Sequence, residues 1–167
     1  MRSLEQEESD LELFMEMLTY RRPHLNPTEE DFIDRYLRVL PNYIEDTFGN
    51  GFVEIGDKPR VMWSCHTDTV HARGGRQFVY VDKGNLRSTS SCLGADNTLG
   101  VWVMERMIRQ GVPGLYVFHR GEERGRLGSS WIAETTPSVL YGLEFSIAFD
   151  RRNVGSIITH QMGSRCC

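Results

Sequence analysis

The sequence predicts an α/β fold in which a mixed, largely parallel β-sheet is flanked by helices. Three observations predict it. Short apolar runs typical of buried strands recur along the chain, helical patterns lie between them, and 167 residues with 40% hydrophobic residues suffice for one core. We therefore expect a single domain over residues 1–167, with helices in residues 1–41 and an α/β core in residues 42–167.

The first 41 residues predict two helices. One face of a helix over residues 4–19 would carry Leu4, Leu11, Phe14, Met15 and Leu18. The run Asn26-Pro27-Thr28-Glu29-Glu30-Asp31 is typical of a helix start, because a capping residue precedes acidic side chains that the helix dipole favours. We expect this second helix to continue through Leu40, to end at Pro41, and to carry no chemistry.

The remaining chain alternates between strands and helices. Residues 43–48 and 52–55 predict a hairpin around Gly49-Asn50-Gly51. Further strands are expected at residues 61–65, 78–81, 115–118, 146–149 and 156–159. Helices are expected at residues 99–108, ending at Gly111, and at about residues 129–134. In sheets of this kind, ligands bind just beyond the carboxyl ends of the strands.

Composition excludes several classes of function. With 19 Lys and Arg against 23 Asp and Glu, the net charge is -4, so we expect neither nucleic-acid nor membrane binding. No apolar run approaches a membrane span, and the acidic start lacks the apolar stretch of a secretion signal, so we expect a soluble, cytoplasmic protein. A serine nucleophile is not indicated, because Gly-x-Ser-x-Gly is absent. The cysteines do not form a disulfide framework and are expected to be reduced: Cys65, Cys92, Cys166 and Cys167.

Four segments place carboxylates or a histidine directly after an apolar run. They are Cys65-His66-Thr67-Asp68, Leu93-Gly94-Ala95-Asp96-Asn97, His119-Arg120-Gly121-Glu122-Glu123 and Ala148-Phe149-Asp150-Arg151. Burial of an unpaired carboxylate is costly, so acids at strand ends need a cation, a hydrogen-bond network or a metal. Four segments that end alike indicate a shared partner, and a pair of divalent metal ions meets that need.

Two of these segments each allow two interpretations. In an extended segment, residues two apart point to the same side, so His66 can bind metal through one ring nitrogen while Asp68 accepts a hydrogen bond from the other. Alternatively, His66 is a hydrogen-bonded strand end and Asp68 forms a turn. Asp96 either caps the following helix or bridges two cations, in which case Asn97 or Thr98 provides the cap.

The other two segments are equally open. If Glu123 binds metal, Glu122 points elsewhere and can act as a general base towards water. Alternatively, both acids pair with arginines of their own loop, which are Arg120, Arg124 and Arg126. Asp150 is either a salt-bridged strand end or a further ligand of the cation that His66 holds.

The order of these four motifs resembles that of the co-catalytic zinc exopeptidase superfamily, which includes aminopeptidases, glutamate-type carboxypeptidases, dipeptidases and acyl-amino-acid deacylases. The resemblance covers roughly residues 58–160. It includes the apolar strand before His-x-Asp, the Gly-x-Asp turn with Gly100-Val101 in the next helix, and Glu-Glu-x-Gly-x-x-Gly at residues 122–128. Four motifs in the same order are a specific match.

The resemblance implies a metal-dependent hydrolase with two zinc ions. His66 and Asp150 would hold one zinc, Asp96 would bridge to the second, and Glu123 would bind that second ion. Glu122 would be the general base and Asp68 would orient His66. The implied reaction is cleavage of a terminal peptide or amide bond by a zinc-bound water, with a peptide or an N-acyl amino acid as substrate. Neither the choice among these substrates nor the oligomeric state follows from the sequence.

The chain departs from the family pattern at two places. Asn97 stands where many relatives have an aspartate. The histidine that binds the second zinc in the family comes from a segment far beyond the Asp150 motif, and no such segment is present before Cys167. Either the sequence is a fragment or a short homologue, or His160 replaces that ligand. The alternative function is therefore a catalytically degenerate homologue that binds one metal or none. His71 is a further candidate for the wall of a substrate cleft, and His119 is expected to be buried.

Overall fold

A computed structural model describes residues 4–153, 155, 157–161 and 164–165, and its central element is a mixed five-stranded β-sheet. The four α-helices of the described chain are α1 (Leu4–Leu18), α2 (Pro27–Tyr36), α3 (Ala95–Arg109) and α4 (Leu127–Thr135). The strands up to the start of α3 are β1 (Tyr20–Arg21), β2 (Ile44–Glu45), β3 (Gly51–Ile55), β4 (Val61–His66), β5 (Gly75–Arg76), β6 (Val79–Asp82) and β7 (Asn85–Ser88). The strands after α3 are β8 (Gly114–His119), β9 (Phe145–Ala148), β10 (His160–Gln161) and β11 (Ser164–Arg165).

The main sheet has the strand order β2-β3-β8-β4-β9. β4 lies between β8 and β9 and runs parallel to both, whereas β3 pairs antiparallel with β8 and with β2. The register places His66 beside His119. The carboxyl ends of three neighbouring parallel strands therefore meet at one edge, and the predicted mixed α/β fold is confirmed.

Helices cover both faces of this sheet. On one face, side chains of α1, α2 and α3 pack on inward-pointing residues of the strands, and the buried members of this cluster include Met17, Phe32, Ile33, Val101, Met104, Cys65 and Phe118. On the other face, Ile132 of α4 packs against Phe52, Leu115 and Val117. Cys65 is 3% exposed, as predicted for a core residue, and since neighbours on a strand alternate in direction, His66 points away from the helices that Cys65 contacts.

The N-terminal helices are confirmed with two corrections. On α1, Met17 is buried while Leu11 is 47% exposed, so the buried face is shifted from the predicted one. The second helix ends at Tyr36 and not at Leu40. The amides of both Leu37 and Arg38 donate to the Ile33 carbonyl, and this shared acceptor interrupts the regular helical pattern of hydrogen bonds. Leu40 nevertheless remains in the core.

The predicted hairpin is present, with a shorter first strand. The Asp46 carboxylate accepts hydrogen bonds from the backbone amides of Phe48, Gly49 and Asn50 at 2.8–2.9 Å. These contacts hold residues 46–50 in a turn, so β2 contains only Ile44 and Glu45.

Two strand predictions need correction. The strand expected at residues 78–81 exists as β6, but it pairs with β7 in a separate two-stranded sheet, and the polar sequence of β7 gave no signal. Residues 157–159 are not in a strand, because the pairing begins at His160, where β10 meets β11. Ser156, Cys166 and Cys167 lie outside the described residues. Within the described ranges, no helix combines the length and the apolar character needed to cross a membrane.

Candidate functional site

His66 is the last residue of β4 and the centre of the candidate site. Its side chain is 2% exposed. Nδ1 lies 3.0 Å from the Asp68 backbone oxygen and 3.3 Å from Asp68 Oδ1, whereas Nε2 lies 3.0 Å from Asp96 Oδ1 and 3.8 Å from Asp150 Oδ1. The protonated ring can donate through Nδ1 to Asp68 and through Nε2 to Asp96, and loss of the Nε2 proton would present the Nε2 lone pair to the Asp96 and Asp150 carboxylates.

Asp96 reaches this position because the first residues of α3 are not regularly helical. Gly94 has a φ of 76°, Asp96 has extended dihedral angles, and the Asp96–Asn97 peptide is cis. Asn97 Oδ1 accepts the Gly100 amide at 2.9 Å, so Asn97 provides the cap that the sequence left open between Asn97 and Thr98. The Asp96 carboxylate is 71% exposed and points at His66.

Asp150 approaches from the other neighbour of β4. The Phe149 amide donates to the Ser64 carbonyl at 2.8 Å, which keeps the end of β9 beside β4. Burial raises the pKa of Asp150 to about 6, and the adjacent Asp96 carboxylate adds to this rise. The hydrogen bond from His66 is the main reason that the pKa of Asp96 is lowered.

Glu122 and Glu123 lie in a single 3-10 turn after β8. The glycines on either side have left-handed φ angles, 67° at Gly121 and 99° at Gly125. At Gly121 a Cβ would also come within 3.0–3.2 Å of the His24 ring, so a side chain there would be crowded as well as strained. Burial raises the pKa of Glu123, and the surrounding carboxylates add to the effect.

Asp68 connects this turn to His66. It is fully buried, and its two carboxylate oxygens accept the backbone amides of Glu122 at 3.0 Å and Glu123 at 3.1 Å. Burial opposes ionisation of Asp68, but the His66 ring and the two amides outweigh it and lower the pKa of Asp68. Burial would likewise lower the pKa of His66, but the acids around it raise that pKa to about 10.

Two groups of possible metal ligands result, and both contain His66. His66, Asp96 and Asp150 form one group, and His66, Glu122 and Glu123 form the other, with the ligand atoms of each group within 4.8 Å of one another. Imidazole nitrogen with carboxylate oxygens is a donor set that zinc accepts. One imidazole surrounded by several carboxylates also carries an excess of negative charge that a divalent cation would offset. The residues therefore fit the metal that the sequence suggested.

The other histidines lie outside both groups. His160 is exposed, with Nδ1 3.0 Å from Thr159 Oγ1. The sequence suggested His71 as a candidate for the wall of a substrate cleft. The structure instead buries His71, which is 3% exposed, with Nδ1 2.8 Å from Thr69 Oγ1 and Nε2 3.2 Å from the Cys92 carbonyl. His119 has a buried Nδ1 with no hydrogen-bond partner in the described part of the chain, and burial lowers its pKa to about 4.

Sequence reasoning missed the buried polar residues beneath the site. Arg120 was considered as a partner of the glutamate pair, but it contacts Glu29 and Glu30 of α2 instead. Glu29 is fully buried, although it occurs in an ordinary acidic first helical turn, where exposed side chains are expected. Nothing in the sequence distinguishes Glu29 from Glu30 or Asp31, so the contact between α2 and Arg120 was not predicted.

The fold resembles those of solved peptidases. A tripeptidase from Staphylococcus aureus superposes with a TM-score of 0.67 at 23% identity, over 88% of this chain and 44% of that protein. The aminopeptidase PepT from Bacillus cereus gives 0.65 at 19% identity, over 87% and 44%. An aminoacylhistidine dipeptidase from Vibrio alginolyticus gives 0.54 at 14% identity, over 72% and 29%.

The chain has a peptidase fold. The fold that the resemblance implied is thus confirmed, and the chain spans less than half the length of each of these three proteins. No protein-family model matches the sequence, and no curated protein does.

Proposed function

We propose that the protein is a metal-dependent hydrolase that cleaves a terminal peptide or amide bond, with Glu122 as the general base. The observation that carries the proposal is the position of His66 between two sets of carboxylates, Asp96 with Asp150 on one side and Glu122 with Glu123 on the other. The peptidase fold supports it, since the three matched proteins are named as a tripeptidase, an aminopeptidase and a dipeptidase.

We assign the metal ligands as follows. His66 and Asp150 would hold one zinc, Asp96 would bridge, and Glu123 would hold a second. When bound, zinc supplies polarisation of the scissile carbonyl and a lowered pKa for water. The raised pKa values of Asp150 and Glu123 support this assignment, because crowded carboxylates gain most from a nearby cation.

The side chains around the ions would bind, orient and transfer protons. Glu122 would accept a proton from the attacking water and deliver it to the departing nitrogen. Asp68 would keep the Nδ1 proton of His66 in place, so that Nε2 stays available as a ligand. Because Asp68 also accepts the amides of Glu122 and Glu123, a single carboxylate would set the relative position of base and ligand.

A cavity beside the site has room for a substrate side chain. It has a volume of about 750 Å³ and is lined by Asp96 and Asp150 together with the apolar side chains of Leu99, Val103 and Phe149. We propose a short peptide or an N-acyl amino acid as substrate. A cytoplasmic location stays a prediction from composition.

Zinc binding and hydrolysis test the proposal directly. Metal-free protein should take up about two zinc ions per chain and should melt at a higher temperature in their presence. Free zinc at 100 times its Kd adds about 2.7 kcal/mol of stability. The same preparation should hydrolyse members of a panel of amino-acid anilides, di- and tripeptides and N-acyl amino acids. A melting temperature that zinc leaves unchanged, with no member of the panel cleaved, would contradict the proposal.

The same measurement distinguishes the alternative of a degenerate homologue. His160 belongs to neither ligand group, which is the observation behind that alternative. One zinc or none per chain, without hydrolysis, would favour it. The peptidases matched by the fold give it no support.

A further inference from the structure

A fully buried carboxylate of α2 lies beneath the two loops that carry the candidate site. Glu29 follows the Asn26 cap by three residues and has no exposed surface. One of its oxygens, Oε1, accepts the Thr67 hydroxyl at 2.7 Å and Arg120 Nε at 3.3 Å. The other, Oε2, accepts Arg120 Nη2 at 3.0 Å and the Leu25 amide at 3.0 Å.

These partners occupy special positions in the chain. Thr67 lies between His66 and Asp68, and Arg120 lies two residues before Glu122. The Thr67 amide also donates to the His119 carbonyl at 2.9 Å, so the two loops contact each other above Glu29. A single carboxylate from the N-terminal helices therefore holds both loops.

A second buried charge ties the third segment to the same loop. Arg22 is fully buried and donates through Nε to the Thr67 carbonyl at 2.7 Å and through Nη2 to Thr98 Oγ1 at 2.8 Å. Thr98 in turn donates to the Gly94 carbonyl in the turn that presents Asp96. Arg22 thus connects the His66 loop to the start of α3.

Burying these charges is a costly way to stabilise a fold, because apolar side chains of similar size can replace a buried ion pair with no loss of stability. What a hydrogen-bonded ion pair adds is a fixed relative position of the groups it joins. Here Thr67, Arg120 and Thr98, which Glu29 and Arg22 contact, each lie within two residues of a candidate ligand or base.

We propose that Glu29 is a positioning residue of the metal site, acting through Thr67 and Arg120, with Arg22 in the same role towards Asp96. This inference rests on the proposed function and extends it to side chains that touch neither metal nor substrate. The expected consequence is that loss of the Glu29 contacts loosens the ligand loops while the hydrophobic core stays intact.

Two kinds of variant test this role. Glu29→Gln keeps the shape and removes the charge, with Asp34→Asn as the matched control on the exposed side of the same helix. Thr67→Val keeps the shape and removes only the hydroxyl, whereas Thr67→Ser keeps the hydroxyl and should restore wild-type behaviour. If Glu29→Gln does not fold because Arg120 loses its fully buried partner and keeps only Glu30, the two Thr67 variants decide the question.

In the zinc-loaded protein, Glu29→Gln and Thr67→Val should weaken zinc binding or lower kcat by about 10–100-fold, with little change in KM. Thr67→Ser and Asp34→Asn should resemble wild type. If both Glu29→Gln and Thr67→Val bind zinc and turn over like wild type, the inference is wrong.

Amide hydrogen exchange of the metal-free protein separates this inference from the proposed function. In Thr67→Val the amides of Thr67, Glu122 and Glu123 should exchange about tenfold faster, while those of β3 and the middle of β8 keep their wild-type rates. Equal acceleration of all amides indicates only a global loss of stability and would overturn the positioning role. If wild type binds no zinc, the proposed function fails, and the exchange pattern still decides whether Glu29 orders the two loops.

Discussion

β8 and β9 both run parallel to β4 and both lead into candidate site residues, yet their surroundings differ. β8 is buried over its first five residues, whereas all four residues of β9 are exposed. The loop after β8 is held by Asp68 and, through Arg120, by Glu29. After β9, the Asp150 carboxylate contacts the site residues His66 and Asp96 themselves.

The two halves of the site, one with Glu122 and Glu123 and the other with Asp150, are therefore positioned by different means. Buried polar contacts fix the position of the glutamate half, the turn with Glu122 and Glu123, without a metal. The half that contains Asp150 depends on the register of β9 beside β4 and on carboxylates that repel one another, a repulsion that a bound cation would offset. We expect substitutions in the first half to affect the fold and the chemistry together, and substitutions in the second half to affect metal binding alone.

The variant with the largest expected effect tests whether the glutamate half provides the general base. Glu122→Gln should lower kcat by about 10²–10⁴-fold, because the amide cannot accept a proton, while zinc affinity stays close to that of wild type. Glu123→Gln should instead weaken zinc binding, and Glu134→Gln on the exposed side of α4 serves as the control. Steady-state kinetics and zinc titration measure both, and a Glu122→Gln variant with wild-type turnover would rule out the assigned base.

A second test concerns His119, the last residue of β8. His119 has a pKa of about 4 in the fold against 6.5 in an unfolded chain. The unfolded state therefore binds a proton that the folded state does not, and stability is lost as pH falls from about 6.5 to 4, by on the order of 3 kcal/mol in all.

His119→Gln should remove this dependence. Urea unfolding of both metal-free proteins between pH 7 and pH 4 measures it, and the difference between them reports on His119 together with its electrostatic coupling to His66. We expect the variant to gain on wild type as pH falls. A difference that does not change with pH would show that His119 titrates normally.

The smallest expected effect compares the two halves directly in the metal-free protein. Asp68→Asn should lower the free energy of unfolding by about 1–3 kcal/mol, because a buried acceptor of two amides is replaced by a group that is half donor. Asp150→Asn should leave the free energy of unfolding unchanged or raise it at neutral pH, because burial and the neighbouring Asp96 charge make the ionised Asp150 carboxylate unfavourable in the fold.

The pH dependence of the two variants should differ as well. The pKa of Asp68 is lower in the fold than in the unfolded chain. Its contribution to the free energy of unfolding is therefore fully present above the unfolded pKa and is lost as pH falls through the lower pKa of the folded state. Urea unfolding at neutral and acidic pH checks this, together with zinc titration, which should show weaker binding in both variants. Equal costs for Asp68→Asn and Asp150→Asn would contradict the contrast between the two halves.

Much of the fold was predictable from local patterns. The strands β4, β8 and β9 and the helices α3 and α4 lie where apolar runs and periodicity placed them. The strand β7 was missed because its sequence, Asn85-Leu86-Arg87-Ser88, is polar and becomes a strand only by pairing with β6. The early end of α2 was missed because hydrogen bonds to the Ile33 carbonyl, and not Pro41, end the helix.

For the site, the sequence indicated the ligand types and their order but not what holds them. His66, Asp96, Glu122, Glu123 and Asp150 follow apolar runs, a local feature that can be read residue by residue. Glu29 and Arg22 carry no such mark. Their partners next to the candidate site lie 38 and 91 residues away for Glu29 and up to 76 residues away for Arg22.

Local patterns in the sequence were enough to predict the strands and helices of the core and the carboxylates and histidine that follow the strands. Periodicity and the cost of burying charge act locally, so they can be recognised without knowledge of the fold. Only the tertiary structure decided that Glu29 lies under the His66 and Glu122 loops, that Arg120 turns away from the glutamates, and that β9 is exposed while β8 is buried. Those properties depend on which distant segments pack together, and burial is a property of the packed chain.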